Sequence, residues 1–260
     1  MAILVVPDVH GRLFWRRPVE TYIERVNRVV FLGDYLDPYP GETEGKAEDV
    51  CHNLMDIIRL KQTYPEKVIL LKGNHDEHYC SVLFHQLACS TRCDHEHWEQ
   101  YHELFRHYAL LFQLANIETI GNLPYVFTHA GITVFWLHLV NTEFWHMPDH
   151  EISISNPVII DQLNQLDKST KGEQLLAVVG KQRFARGAKT GSILWADVKE
   201  HNLHPADIYG MQNAFQIFGH SRLNGKARNW VMGKHFAMVD SQKCFLIGAD
   251  NPESILPVTQ

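Results

Sequence analysis

The sequence predicts an α/β fold in which parallel strands alternate with helices. Three apolar runs, at 3–6, 29–32 and 68–71, have the length and composition of strands that are buried on both faces. The residues between the second and third runs show a helical periodicity instead. The order strand, helix, strand indicates a βαβ unit with parallel strands.

The helix between the second and third strands is predicted from the spacing of its apolar residues. From Ala47 to Ile58 they recur at i, i+3, i+4 and i+7, which is typical of a helix packed on a sheet. We expect this helix to begin at Thr43 and to end at Tyr64 and Pro65, because proline cannot continue it.

Polar side chains follow the strands at their carboxyl ends, where open α/β sheets bind their ligands. On its own, Asp34 after Gly33 would more simply be a turn residue. The same arrangement recurs along the chain, however, at Asp8 and His10, Asp34 and Asp37, Asn74 and His75, His129, and His220. We therefore predict one functional site at this edge.

Six of these side chains form a metal-ligand set of three oxygen donors and three imidazoles, which are Asp8, His10, Asp34, Asn74, His129 and His220. This mixture suits Mn²⁺, Fe²⁺ or Zn²⁺ better than Ca²⁺ or Mg²⁺. Six ligands are too many for one ion with an open position, so we predict two divalent ions about 3.5–4 Å apart that share Asp34. Such a pair makes hydroxide available near neutral pH and neutralises the oxygens of a phosphoryl group.

His75 and Asp37 are predicted to act as a catalytic pair beside these ions. An imidazole that a carboxylate holds can protonate a departing alkoxide, with Asp37 orienting the ring of His75 and raising its basicity. The alternative is that His75 is only a turn residue.

Length, charge and cysteine content restrict the class of protein. The 260-residue chain shows no linker composition, so we expect one domain over residues 1–260. The net charge of −6 predicts no general attraction to nucleic acid or to an anionic membrane, so local cations must hold an anionic substrate. The first apolar run is too short for a signal peptide or membrane span. Five cysteines without an export signal indicate reduced thiols and a cytoplasmic protein.

Residues 78–115 are rich in histidine and are predicted to form a mostly helical cap. One apolar helix face is formed by Trp98, Tyr101, Leu104, Phe105, Tyr108, Leu111, Phe112 and Ala115. Cys89, Cys93, His95 and His97 could chelate zinc, but their spacing matches no common zinc finger. We favour a solvated helical cap over a zinc site.

The stretch 181–192 is the densest run of positive charge in this acidic chain, and it contains glycines. Two interpretations stay open. It is a solvated loop, or Arg183 or Arg186 reaches an anionic substrate.

Five motifs resemble those of the calcineurin-like metallophosphoesterases and occur in that family's order. They are Asp-x-His-Gly at 8–11, Gly-Asp-x-x-Asp at 33–37, Gly-Asn-His-Asp at 73–76, His-Ala-Gly at 129–131 and Gly-His at 219–220. The resemblance implies a four-layer αββα sandwich with a dinuclear metal centre at the rim of the sheets.

The resemblance also implies how the ligands are divided between the two ions. Asp8 and His10 correspond to ligands of one ion, and Asp34 corresponds to the carboxylate that bridges both. The ligands of the second ion correspond to Asn74, His129 and His220, and the family's acid pair to His75 and Asp37.

Within this superfamily, the stretch 194–197 is similar to the Leu-Trp-Ser-Asp of the phosphoprotein phosphatase branch. Many phosphodiesterase relatives end their last motif Gly-His-x-His, whereas position 222 here is arginine. The phosphatase branch usually continues Gly-Asp-x-x-Asp with an arginine that binds the phosphate, but this chain has Pro38 and Tyr39. Another guanidinium must replace the missing one, and the predicted substrate-binding residues are Arg12, Arg186 and Arg222.

The leading prediction is a phosphomonoesterase that hydrolyses a phosphoprotein or a small phosphorylated molecule by attack of a metal-bridging hydroxide. One alternative is the hydrolysis of a dinucleoside polyphosphate or a phosphodiester. The other is a non-catalytic interaction scaffold, which the intact ligand positions disfavour.

Overall fold

The computed structural model describes residues 2–41, 47–88, 91–202, 208–223, 230–248 and 255–258. The chain divides into two compact units, which are unit 1 (residues 1–113 and 242–260) and unit 2 (residues 114–241). The assignment of residues 1–260 to one domain stays a prediction.

The helices and strands follow one another along both units. In chain order they are β1 (Ile3–Val6), α1 (Arg16–Tyr22), β2 (Arg28–Phe31), α2 (Ala47–Thr63), β3 (Val68–Leu71), α3 (Asn74–Cys80), α4 (Val82–Leu87), α5 (Trp98–His107), β4 (Phe112–Gln113), β5 (Ala115–Ile120), β6 (Leu123–Thr128), α6 (Val134–Val140), α7 (Pro157–Leu163), α8 (Thr170–Leu176), β7 (Phe215–Phe218), β8 (Val231–Met232), β9 (Phe236–Met238), β10 (Phe245–Ile247) and β11 (Ile255–Pro257). Among the residues described, no helix is both long enough and apolar enough to cross a bilayer.

The sheet of unit 1 has the strand order β11-β10-β1-β2-β3-β4 in the described part of the chain. Strands β1 to β4 run parallel, with Ile3 opposite Arg28, whereas β10 and β11 are antiparallel additions. This arrangement confirms the predicted βαβ unit. Because the first three strands end at the same edge, the loops that carry Asp8, Asp34 and Asn74 begin side by side.

Helix α2 packs its apolar face into the core of unit 1. Leu54 and Ile57 are fully buried there, in one cluster with Leu4, Phe31 and Leu70 of the strands. Each such side chain stabilises the fold by roughly 1.5–3 kcal/mol relative to an exposed position. The predicted start of this helix at Thr43 lies outside the described residues.

Two residues that we predicted on the apolar helix face after residue 78 lie in strands instead. Phe112 pairs with Leu70 of β3, and Ala115 pairs with Thr128 of β6. Periodicity alone cannot distinguish a short apolar run in a helix from one in a strand. For Phe112, the edge of β3 determines the conformation. A strand that pairs there satisfies backbone groups of β3 that would lack partners if residues 112–113 were helical. The role of the segment as a cap stays a prediction.

Unit 2 contains a second mixed sheet, with the order β5-β6-β7-β9-β8 in its described residues. Strands β5 and β6 form an antiparallel hairpin, and β6, β7 and β9 run parallel, with Tyr125 opposite Phe215. The parallel pair β6 and β7 therefore ends at one edge, where His129 and His220 follow. A mixed sheet with helices in each unit confirms the predicted α/β class.

Candidate metal centre

Three predicted ligands of unit 1 converge at the edge of its sheet. Asp8, His10 and Asp34 each place one ligand atom within 4.8 Å of the other two. They are 1%, 2% and 2% exposed, respectively. Buried charged groups normally require a partner of opposite charge or a metal ion.

His10 presents a nitrogen lone pair to this cluster. Its Nδ1–H donates to the carbonyl oxygen of Leu36 at 2.9 Å, which leaves Nε2 without a proton in the neutral ring. Burial, reinforced by the charge of His75, lowers the pKa of His10 well below its usual value, so the ring is neutral. Nε2 lies 3.4 Å from Oδ2 of Asp34, so an imidazole nitrogen and a carboxyl oxygen lie close enough to bind one ion. A divalent cation would take both as ligands.

Asp34 also has the electrostatics of a metal ligand. Burial, together with the neighbouring carboxylate of Asp8, raises the pKa of Asp34 well above its usual value. A divalent cation would remove both penalties, because it stabilises the ionised carboxylates. The donor set of two carboxylates and one imidazole fits Mn²⁺, Fe²⁺ or Zn²⁺.

The ligand loops of β2 and β3 approach so closely that only glycine fits between them. A Cβ on Gly33 would collide with the backbone nitrogen of Gly73, and a Cβ on Gly73 would collide with Oδ1 of Asp34. Gly33 has φ +102°, and Asp34 itself adopts the left-handed conformation with φ 52°. His10 and Asp37 share this uncommon conformation, with φ 46° and 56°. Such backbone strain persists only where the surroundings enforce it, as at binding sites.

Asp76 holds these two loops together, a role that we did not predict from the sequence. Its fully buried carboxylate accepts hydrogen bonds from the backbone N–H groups of Asp34 at 2.7 Å, Tyr35 at 2.9 Å and Gly73 at 2.8 Å. Asp76 therefore acts as a positioning residue for Asp34. Its place three residues after Gly73, at the start of a helix, is a sequence signal for this capping role.

His75 and Asp37 form the pair that we predicted. Nδ1–H of His75 donates to Oδ2 of Asp37 at 2.7 Å, and the backbone N–H of His75 donates to Oδ1 of Asp34 at 3.0 Å. The rings of His75 and His10 are 5.2 Å apart. Asn74, directly before His75, is 2% exposed. The structure thus brings the predicted acid and the first ligand cluster together in unit 1.

Several donors hold Asp37 in its ionised form. Burial alone would raise the pKa of Asp37, but hydrogen bonds from His75 and Tyr79, together with the nearby imidazole of His78, outweigh it and hold the pKa well below its usual range. The backbone N–H of Asp94 adds a further hydrogen bond at 3.2 Å. Burial lowers the pKa of His75, and the carboxylate of Asp37 opposes that effect. Asp37 is therefore an anion that fixes and supports the imidazole of His75.

Arg92 is a site residue that we did not predict from the sequence. Its Nη2 lies 3.5 Å from Nε2 of His75, and its Nε donates to the carbonyl oxygen of Asp37 at 3.3 Å. The guanidinium carbon lies 3.4 Å from the ring centroid of Tyr39, a cation–π contact. Tyr39 thus supports an arginine from a distant loop. No local sequence motif indicates that Arg92 belongs to this site, because 55 residues separate it from Asp37 in the chain.

In unit 2, the two predicted histidine ligands also lie together. Nε2 of His129 is 3.1 Å from Nδ1 of His220, and the backbone N–H of Gly219 donates to the carbonyl oxygen of His129 at 2.8 Å. Two nitrogens bound to one zinc ion would be about 3.3 Å apart, so this separation suits a shared ion as well as a hydrogen bond. Trp195 of the stretch 194–197 contacts the ring of His220 edge to face.

The predicted substrate-binding arginines differ in their surroundings. Arg12 is buried and donates to the carbonyl oxygens of Val9 and Asp8, so it braces the first ligand loop. Arg186 lies exposed in the loop of unit 2, and Arg222 is half-buried after His220. In the same loop, Arg183 donates to the backbone of His220 at 3.2 Å.

We expect Asp76→Asn to destabilise unit 1 and to weaken its metal binding. Asparagine keeps one acceptor oxygen, so at least one buried N–H of the loops loses its partner. The free energy of unfolding should fall by about 1–3 kcal/mol in urea denaturation. Metal content after dialysis against Mn²⁺ should fall with it. Asp161→Asn, an exposed site on α7, is the matched control. If Asp76→Asn has no larger effect than this control, the positioning role of Asp76 is contradicted.

The family model described as calcineurin-like phosphoesterase matches residues 1–220. A comparison with curated proteins finds no significant match.

Solved structures with detectable likeness include three phosphoesterases. A serine/threonine phosphatase from Saccharomyces cerevisiae with similarity to human phosphatase PP5 is 15% identical, covers 95% of this chain and 72% of its own, and has a TM-score of 0.48. YfcE, a phosphoesterase from E. coli, is 13% identical over 99% of this chain and 98% of its own, with a TM-score of 0.39. A metallophosphoesterase from Sphaerobacter thermophilus is 22% identical over 51% and 47%, with a TM-score of 0.24. All three TM-scores are below 0.5, so we base no conclusion on these likenesses.

Proposed function

The chain belongs to the calcineurin-like phosphoesterase family and is a metal-dependent hydrolase, and from this premise we propose that it hydrolyses phosphomonoesters. The observation that carries the proposal is the set of groups beside the ligand cluster of unit 1, where His75, Asp37 and Arg92 form one hydrogen-bonded group. This set offers a proton donor and a guanidinium for a phosphate. The substrate is a phosphoprotein or a small phosphorylated molecule.

The proposed cofactors are two divalent ions, Mn²⁺, Fe²⁺ or Zn²⁺. We assign Asp8 and His10 to one ion and Asn74, His129 and His220 to the other, with Asp34 shared between them. The buried pair of His10 and Asp34 and the adjacent nitrogens of His129 and His220 support this assignment. When bound, such a pair of ions lowers the pKa of a coordinated water and neutralises charge on a phosphoryl group.

His75 is proposed to protonate the leaving-group oxygen. Because Asp37 holds Nδ1, the other nitrogen, Nε2, is the one that exchanges a proton with the substrate. Asp37 stays ionised throughout, so it stabilises the imidazolium while that form exists and keeps the ring in one orientation. Tyr79 and the backbone of Asp94 in turn fix Asp37.

Arg92 is proposed to bind the phosphoryl oxygens in place of the arginine that the phosphatase branch carries after Asp37. In the free protein its Nη2 is directed at Nε2 of His75. A phosphoryl oxygen is a stronger acceptor than an imidazole nitrogen, so a bound phosphate attracts the guanidinium and leaves Nε2 to the leaving group. The roles of Arg12, Arg186 and Arg222 in substrate binding, and the cytoplasmic location, stay predictions.

A monoester rather than a diester is favoured by the cations that this chain carries. A monoester is a dianion near neutral pH, and an arginine pairs with two of its oxygens at once. Position 222, which holds a second histidine in many phosphodiesterase relatives, is an arginine here. The net charge of −6 makes such local cations necessary.

The proposal is tested by comparing the hydrolysis of p-nitrophenyl phosphate and bis-p-nitrophenyl phosphate with Mn²⁺ present. We expect the monoester to give the higher kcat/KM and a chelator to abolish the activity. A higher kcat/KM for the diester would instead favour cleavage of phosphodiesters or dinucleoside polyphosphates. Absence of activity with Mn²⁺, Fe²⁺ and Zn²⁺ would support the scaffold alternative.

Replacement of His75 by alanine should depress turnover without changing metal content. General acid catalysis contributes roughly 10²–10⁴-fold, so kcat for an alkyl phosphate should fall by about that factor. The loss should be smaller for p-nitrophenyl phosphate, because its leaving group needs little protonation. His52→Ala, an exposed histidine of α2, is the control. Equal losses with both substrates would refute the acid role, as would full activity with the alkyl phosphate.

Replacement of Arg92 by alanine should raise KM for the monoester about tenfold or more, since a charge-assisted hydrogen bond to phosphate contributes roughly 1.5–3 kcal/mol. Arg92→Lys should recover only part of this loss, because lysine cannot bind two oxygens in the same geometry. Arg17→Ala, an exposed arginine of α1, is the matched control. An unchanged KM in Arg92→Ala would exclude Arg92 as the phosphate ligand.

A further inference from the structure

A second cluster of metal-ligating side chains lies in unit 1, outside the centre described above. His85 of α4 and Cys93 and His95 of the next loop each place one ligand atom within 4.8 Å of the others. Nδ1 of His85 is buried and has no hydrogen-bond partner among the described residues. The rings of His85 and His95 are 5.3 Å apart, and Cys93 is half-buried beside them. Two imidazoles and one sulfur therefore converge.

The chemistry of this cluster differs from that of the carboxylate-rich centre. A thiolate with two imidazoles selects zinc among the common divalent ions, whereas Mn²⁺ prefers oxygen ligands. Nitrogen and sulfur ligands on one zinc ion are about 3.5 Å apart, from bond lengths of about 2.0–2.1 and 2.3 Å. Side-chain movements of about an ångström close the cluster to that geometry. His85 and Cys93 are half-buried and His95 is exposed, so such movements are open to them.

We propose that His85, Cys93 and His95 form a zinc site that is separate from the proposed catalytic metal centre, in a segment where the sequence alone favoured a solvated cap without zinc. Zinc satisfies the buried nitrogen of His85 and joins α4 to the loop 91–97. Trp98 packs against the ring of His85 with a centroid distance of 4.6 Å and covers one side of the site. An ion held by these three ligands would act by fixing a loop that has little regular structure.

The loop that zinc would fix is the one that carries Arg92 to the catalytic pair. Arg92 directly precedes Cys93, and Asp94 lies between the two proposed ligands of the loop. Through these neighbours the loop contacts Asp37, by the Nε of Arg92 at 3.3 Å and the N–H of Asp94 at 3.2 Å. Zinc therefore acts as a positioning ion for Arg92. This consequence, unlike the site itself, rests on the proposed function.

The test is to strip the full-length protein with a chelator, load it with Co²⁺ or Zn²⁺ and measure bound metal and the absorption spectrum. Co²⁺ bound to a thiolate gives a charge-transfer band in the near ultraviolet, which oxygen and imidazole ligands do not give. We expect this band in the unmodified protein and its loss in Cys93→Ser, together with the loss of one equivalent of zinc. Cys51→Ser, a half-buried thiol of α2, should keep both.

His95→Ala is a second test in case Cys93→Ser fails to fold. Because His95 is exposed, its replacement should disturb folding little. We expect this variant to bind zinc at least tenfold more weakly at the site and to shift the cobalt band. An unmodified protein without a thiolate band, or a band that survives in Cys93→Ser, would overturn the proposal. An unchanged band and zinc affinity in His95→Ala would do the same.

Activity is measured separately from metal binding, so that the zinc site and the proposed phosphomonoesterase function are tested independently of each other. If zinc positions Arg92, Cys93→Ser should raise KM for the monoester while retaining the Mn²⁺ of the catalytic centre. A thiolate band in a protein that hydrolyses no monoester would leave the zinc site intact and refute the proposed function. An unchanged KM in a Cys93→Ser protein that has lost the band would refute only the positioning role.

Discussion

The site depends on two carboxylates that are buried beside each other. Asp8 and Asp34 lie at the ends of neighbouring parallel strands, and His10 adds a nitrogen lone pair rather than a proton. Burial raises the pKa of Asp34, which opposes its ionised, metal-binding form, whereas burial lowers the pKa of His10, which favours the neutral imidazole that binds a metal. A divalent cation would offset the penalty for ionising Asp34, because it stabilises the ionised carboxylate. Metal binding and the stability of these loops are therefore linked.

Most of the surrounding architecture serves to keep Asp34 in place. Two glycines allow the loops after β2 and β3 to touch, and Asp76 joins them through three backbone hydrogen bonds. Asp34 then accepts the backbone N–H of His75, so the ligand and the proposed acid are fixed to each other. A shift of one loop would therefore displace both groups. Such shared positioning is what precise catalytic geometry requires.

The sequence predicted the strands well because they leave local signals. Buried strands appear as apolar runs, and the proposed ligands follow directly after them, as at Asp8 and Asp34. Arg92 and Asp76 were missed for different reasons. Arg92 contacts Asp37 only in the folded protein, so no local pattern indicates it. The position of Asp76 three residues after Gly73 does indicate a capping role, but we assigned that residue only to the Gly-Asn-His-Asp motif. The strand at Phe112 was mistaken for helix because its partner edge, and not its own periodicity, determines its conformation.

The proposed function requires that Asp34 be shared by two metal ions. The most direct measurement is the number of Mn²⁺ ions bound per chain by chelator-stripped protein, in the unmodified form and in Asp34→Asn, with activity measured on the same samples. We expect two bound ions and activity in the unmodified protein, and the loss of at least one ion together with nearly all activity in the variant. Two bound ions and full activity in Asp34→Asn would contradict it.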